Sequence, residues 1–97
     1  MAWMYILECA DGSYYVGSTR DIDRRLKQHS DGEGAAYTRR RLPVALVYAA
    51  EFESVDEAFW WEKRVQRWSR AKREALIRGD YAALPALAKK DWSRRKA

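Results

Sequence analysis

The sequence has almost none of the residues that make cross-links or soft-metal sites. One cysteine, Cys9, and one histidine, His29, occur in 97 residues, so an intramolecular disulfide is impossible and a four-ligand thiolate and imidazole zinc site cannot form within one chain. Any metal must therefore be held by oxygen. Cys9 is expected to be a small core residue in a reducing compartment. Long hydrophobic runs are missing as well. The apolar stretch at the amino end is too short for a membrane span or a signal, has no basic leader and meets Glu8. The chain therefore reads as cytoplasmic, with no membrane partner. No internal repeat and no low-complexity segment is visible.

What is present suits a single folded unit, since 97 residues leave no room for a second core of useful size. With 47% hydrophobic residues, five tryptophans and six tyrosines, enough surface can be buried to offset the entropy of ordering the chain. One domain is expected over residues 1–88, with a charged tail over residues 89–97 that frays. Lys and Arg outnumber Asp and Glu by 19 to 14, a formal net charge of +5. That balance is permissive for a polyanionic partner but places no charge at any site.

Trp3 to Cys9 and Tyr14 to Ser18 are rich in aromatic and β-branched residues and flank Asp11-Gly12, which predicts a β-hairpin. Asp21 caps a helix that runs to about His29, where Ser30, Asp31, Gly32, Glu33 and Gly34 break it. A flexible loop is expected next, carrying Tyr37 and the run Arg39, Arg40, Arg41. Val44 to Phe52 is a third strand, apolar enough to be the central one. Ser54-Val55-Asp56-Glu57 is a capping box for a helix to about Trp68. Ser69 starts another helix that Gly79 ends, and Asp80 opens a short segment interrupted by Pro85. The order strand, strand, helix, strand, helix, helix predicts an α/β (α+β) fold: a three-stranded, largely antiparallel sheet flanked by helices.

Helical geometry sorts the charged residues. With Ile22 at zero, Leu26 lies at about +40°, His29 at about −20° and Arg25 at about −60°. These four share a face, while Arg24, Lys27 and Gln28 fall on the solvent side. On the later helix Val55, Ala58, Phe59 and Val65 share a face with Glu62 in their midst and Gln66 one turn on. A carboxylate there is costly unless it is paired, for instance with Arg25, or bound to a metal. The hairpin register decides which tyrosines meet. A two-residue Asp-Gly turn would split Tyr5 and Tyr15 between faces. A three-residue loop of Ala10, Asp11 and Gly12, with Gly12 left-handed, pairs Cys9 with Ser13 and gathers Tyr5, Leu7, Tyr15 and Gly17. The second register is expected.

Trp3-Met4-Tyr5, then Tyr15-Val16-Gly17, Arg25, His29 and Glu62, taken together, resemble the GIY-YIG nuclease superfamily. The pattern from Trp3 to about Ile77, with Ala36-Tyr37-Thr38 and Val44 to Tyr48, is similar to its small stand-alone bacterial (YhbQ-like) members. The resemblance implies a DNA endonuclease. Tyr5 and Tyr15 match the motif tyrosines, one of them, with Tyr5 favoured, acting on water as general base. Arg25 matches the arginine on the scissile phosphate, His29 a residue that assists proton transfer, and Glu62 the ligand of one Mg2+ or Mn2+ ion. An unperturbed tyrosine is a poor base at neutral pH, so either Arg25 and the metal depress it or His29 shares its proton. The first triplet lacks its Gly and Ile, Asp21 replaces a frequent Asn, and Ser18 stands where some relatives carry a lysine.

Tyr37, Arg39, Arg40 and Lys72 are candidates for nucleic-acid contact, the aromatic ring by stacking and the cations on phosphates. The basic tail, Lys89 to Lys96, is a further candidate. With no specificity domain in view, single-stranded or branched DNA is expected in preference to a defined duplex site. A non-catalytic nucleic-acid-binding module on the same scaffold is the competing reading. Trp60, Trp61 and Trp68 cannot all face one core, so at least one packs on a later helix or a partner protein.

Overall fold

The computed structural model describes residues 1–80. Beyond Asp80, the short segment expected through Pro85, the domain limit at residue 88 and the charged tail lie outside the described residues. Seven elements follow in order: β1 (Ala2–Glu8), β2 (Tyr14–Thr19), α1 (Ile22–Ser30), α2 (Ala36–Arg39), β3 (Ala45–Phe52), α3 (Val55–Gln66) and α4 (Arg70–Arg78). All strand pairs are antiparallel, as the sequence led one to expect.

The hairpin adopts the three-residue loop. Cys9 N–H donates to Ser13 O at 2.8 Å and Gly12 N–H to Cys9 O at 2.9 Å, with Gly12 at φ +84°. A left-handed residue closes this loop, and only glycine takes that conformation without steric cost. Its consequence is the register Tyr5 opposite Gly17 and Leu7 opposite Tyr15.

The strand order is β2-β1-β3, so β3 is an edge and β1 is central, contrary to the expectation from the apolar length of β3. Met4, Tyr5, Ile6 and Leu7 are buried in succession, which requires cover on both sheet faces. Much of β3 is only half-buried, and Leu46 is exposed. A bulge between Ile6 and Leu7 shifts its pairing to β1.

Two half-cores result. Ala2, Met4, Ile6, Val16, Ala50 and Phe52 pack against α3 and α4, while Tyr5 meets α1 on the other face through His29. The caps are those expected: Asp21 accepts from Arg24 N–H, Ser54 from Glu57 N–H and Ser69 from Lys72 N–H, and Gly79 ends α4 at φ +75°. The connection after α1 is not a plain flexible loop, because α2 forms within it.

Helix α3 is rotated from the orientation expected. Val55 and Phe59 are exposed, and the buried face is Ala58, Trp61, Glu62 and Val65. Trp61 offers more apolar area than Phe59, so burying it turns the helix and moves Glu62 from the middle of the face to its margin, towards β2. Trp61 and Trp68 are buried and Trp60 is 47% exposed, so one indole does stay outside the core.

Candidate active site

Tyr5 and Tyr15 lie on one face of the β1–β2 ribbon with ring centroids 6.5 Å apart. The phenol of Tyr5 lies across Gly17, where an added Cβ would stand 2.5 Å from the hydroxyl oxygen. Any side chain at Gly17 would displace that oxygen.

His29 ends the inner face of α1 and is fully buried. Its Nε2 is 2.8 Å from Tyr5 Oη, and its Nδ1 is 2.8 Å from Thr38 Oγ1 on α2. Tyr15 closes over the ring, centroids 5.3 Å apart. Gly34 backs it, since a Cβ there would come within 2.3 Å of Nδ1. Burial, helped by the charge of Arg25, holds the His29 pKa down to about 4.

Arg25 is half-buried beside both phenols. Its Nη1 donates to Gln28 Oε1 at 3.0 Å, so Gln28 serves this edge and is not purely a solvent residue as expected. Closeness to Tyr5 raises the Arg25 pKa. Tyr5 itself is pushed up to about 12: burial raises it more than Arg25 lowers it, and Tyr15 and Glu62 add to the rise. The guanidinium alone therefore does not bring the phenol below its ordinary value, while His29 stands within hydrogen-bond reach to share its proton.

Glu62 reaches the site around the free edge of β2. Its Oε1 accepts from Ser18 Oγ at 2.5 Å, one residue beyond Gly17. Its Oε2 accepts from Gln66 Nε2 at 2.9 Å, and the same amide donates to Val16 O at 3.2 Å. The ion pair considered from sequence, Glu62 with Arg25, is not formed; the cation nearest the carboxylate is Lys63 at 3.7 Å. Ser18 and Arg25 both line a groove of about 390 Å³ with Thr19, Arg20, Asp21, Arg24 and Gln28.

The donor set around Glu62 fits a hard divalent cation. The two Glu62 oxygens accept from the neutral Ser18 hydroxyl and Gln66 amide, and each carboxylate oxygen has a further lone pair. No cluster of three or more His, Cys, Asp or Glu residues occurs among the described residues. One carboxylate completed by water and phosphate oxygens is the coordination Mg2+ commonly takes.

Of the candidates for nucleic-acid contact, Tyr37 is built into the site wall. It stacks on Tyr15, 28° between planes, and the Arg41 guanidinium lies 3.8 Å from its centroid. Arg41 also bonds Asp11 and Tyr37 O, which makes it a latch to the hairpin. Arg39 and Arg40 are exposed beside it. Lys72 does not join them: it sits on α4, its ammonium 4.9 Å from the Trp68 ring.

Tyr5, Tyr15, Arg25 and His29 thus form one cluster, and Glu62 adjoins it through Ser18. Sequence reasoning missed the roles of Ser18, Gln28, Gly34 and Thr38. Their only signals were a polar residue after the second triplet, a polar residue one turn from Arg25, a glycine among helix breakers and a threonine in a quoted triplet.

Among known proteins, a model of the GIY-YIG catalytic domain matches residues 1–75. The UPF0213 protein BH0048 of Halalkalibacterium halodurans is 52% identical over 75 residues, 77% of this chain and 80% of its own. A UPF0213 protein of Streptococcus pneumoniae is 51% identical over 76 residues, 78% of this chain and 77% of its own. The solution NMR structure of BH0048 superposes with a TM-score of 0.52 over 79% of this chain and 83% of that one, at 51% identity. That of EF2693 from E. faecalis gives 0.55 over 86% and 88%, at 35% identity.

Proposed function

Because the chain belongs to the GIY-YIG catalytic-domain family, we propose that it is a metal-dependent endonuclease hydrolysing DNA phosphodiester bonds. The observation that carries this reading is the contact of Tyr5 Oη with His29 Nε2, 2.8 Å, in a buried pair beside Arg25.

With Tyr5 at about 12 and His29 at about 4, the resting pair keeps its shared hydrogen on the phenol. A water molecule held by the Tyr5 oxygen can pass a proton to it as the phenol passes its own to His29, so no free phenolate is needed. The Arg25 fork binds the scissile phosphate and offsets the charge that grows on it. Burial is the larger cause of the low His29 pKa and Arg25 the smaller; a phosphate on Arg25 counters the smaller one, so His29 becomes a stronger base when substrate is bound.

Glu62, oriented by Ser18 and Gln66, would hold one Mg2+ or Mn2+ ion, which supplies positive charge to the phosphate and the leaving oxygen. The groove lined by Arg20, Arg24 and Arg25 suits backbone phosphates more than base edges, which favours single-stranded or branched DNA with little sequence preference. Buried Cys9 and the reducing conditions it suits agree with action in the cytoplasm. Among the described residues, no helix is long and apolar enough to cross a membrane.

A cleavage panel of single-stranded, duplex and branched DNA, with and without Mg2+ or Mn2+, tests the proposal. Cutting that needs the ion, and that Glu62→Gln or Arg25→Ala abolishes while DNA is still bound, supports it. A wild-type protein that binds DNA and cuts none of the panel with either ion would make the non-catalytic binding module the better account.

A further inference from the structure

The hydroxyl of Thr38 has a single hydrogen, and the backbone has claimed it. Thr38 Oγ1 lies 3.0 Å from the Ala35 carbonyl oxygen and 2.8 Å from His29 Nδ1. A carbonyl oxygen has no hydrogen to give, so the threonine hydrogen points at Ala35, and towards His29 the same oxygen only accepts. Nδ1 therefore carries the ring hydrogen. A neutral imidazole has only one, so Nε2 presents its lone pair, and the 2.8 Å contact with Tyr5 is donated by the phenol.

We propose that Thr38 is a positioning residue for this site: by accepting from Nδ1 it fixes the imidazole tautomer in which His29 Nε2 receives the Tyr5 hydrogen. The phenol oxygen is then left as an acceptor on its other side. Its consequence for catalysis rests on the nuclease reading, while the tautomer itself does not. Among the described residues, the groups facing the imidazole are Tyr5, Tyr15, Arg25 and Thr38, and of these Thr38 alone engages Nδ1. Helix α2 exists at four residues and is what brings this hydroxyl to a ring nine positions earlier.

The proton balance depends on that direction. One water O–H bond breaks and a new Tyr5 O–H bond forms; the original Tyr5 O–H bond breaks and an Nε2–H bond forms. At phosphorus, the bond to the attacking oxygen forms and the bond to the leaving oxygen breaks. The leaving alkoxide takes a proton from solvent, and the imidazolium returns its own to Tyr5 as Tyr5 releases one to solvent, so the pair is reset and the count closes. Throughout, Nδ1–H stays on Thr38, so both ring nitrogens of the imidazolium remain hydrogen-bonded. The reverse tautomer would point Nε2–H at the phenol oxygen and leave His29 unable to accept there.

Because the chain has one histidine, long-range 1H–15N correlation NMR of the imidazole near pH 7 reads the tautomer without overlap. Wild type is expected to show Nδ1 as the protonated nitrogen and Nε2 as the bare one. Thr38→Ser should keep that pattern, whereas Thr38→Val should move hydrogen to Nε2 and lower kcat about 10²-fold with little change in KM. Protonated Nε2 in wild type, or an unchanged pattern in Thr38→Val, would overturn the proposal. If Thr38→Val does not fold, the wild-type spectrum still decides. A wild type with the expected tautomer but no DNA cleavage would sink the nuclease reading and leave the assignment of Thr38 standing.

Discussion

Gly17 lies directly opposite Tyr5 in the β1–β2 ladder, and a methyl group on its α-carbon would stand 2.5 Å from the phenol oxygen. The space taken by that missing side chain is where Tyr5 Oη sits while it reaches His29. Gly34 does the same for the imidazole from behind, at 2.3 Å from Nδ1. Gly17→Ala and Gly34→Ala should each cost about 1–3 kcal/mol by overpacking and lower DNA cleavage at least about tenfold, through loss of oriented proton transfer. Thermal melts and cleavage rates on the same samples check this; unaffected cleavage would mean that the phenol and imidazole need not stay where they are.

The acid side of the stability curve follows from His29. The unfolded chain takes up this proton near pH 6.5, whereas the folded one resists until about 4. Between these values the unfolded state binds more protons, so stability falls as pH falls through this window and levels off below it. The loss should approach about 3 kcal/mol. His29→Gln, compared with wild type by urea unfolding from pH 7 to pH 4, should remove that part of the slope, while the carboxylates common to both proteins cancel.

Arg25 affects the same titration through its charge. Arg25→Met should raise the His29 pKa from about 4 but leave it below 6.5, because burial is the larger cause and Arg25 the smaller. An NMR titration of the lone imidazole gives the answer, and no movement would mean that the guanidinium does not sit beside the ring in solution. Cleavage should be lost in the same variant.

Ser18 holds Glu62 Oε1. Groups that orient a metal ligand commonly matter about 10–100-fold in metal affinity or activity. Ser18→Ala should therefore raise the Mg2+ concentration for half-maximal cleavage about tenfold while the maximal rate changes less. An unaltered Mg2+ requirement would show that the carboxylate needs no such support.

The adjacent indoles of α3 should separate cleanly. Trp61 is fully buried and Trp60 is 47% exposed, so Trp61→Ala is expected to cost about 3–5 kcal/mol. Trp60→Ala should cost about 1 kcal/mol or less, since little packing is lost at the surface. Urea midpoints of the two variants test the rotation of α3 that carries Glu62 to the sheet edge.

Local rules made much of this legible beforehand. The hairpin loop, the three caps, the glycine that ends α4, the shared ribbon face of Tyr5 and Tyr15 and the shared helix face of Arg25 and His29 all depend on residues within a turn, a ribbon or one helix. Errors came where distant elements compete for cover. β3 was expected at the centre because it is apolar, but centrality depends on what lies on both faces, and β1 wins by burying Met4 through Leu7. Glu62 was expected amid the apolar face of α3, but Trp61 outbid Phe59 for the core.

That Tyr5 and Tyr15 share a ribbon face, and Arg25 and His29 a helix face, was therefore written in the chain, because backbone periodicity and turn chemistry act over short distances. How their protons are held was not. The burial that separates Tyr5 and His29 to about 12 and 4, the hydroxyl of Thr38 on Nδ1 and the serine on Glu62 arise only when remote segments close together and exclude water. Desolvation and hydrogen-bond direction are properties of that enclosure, and no single stretch of sequence contains them.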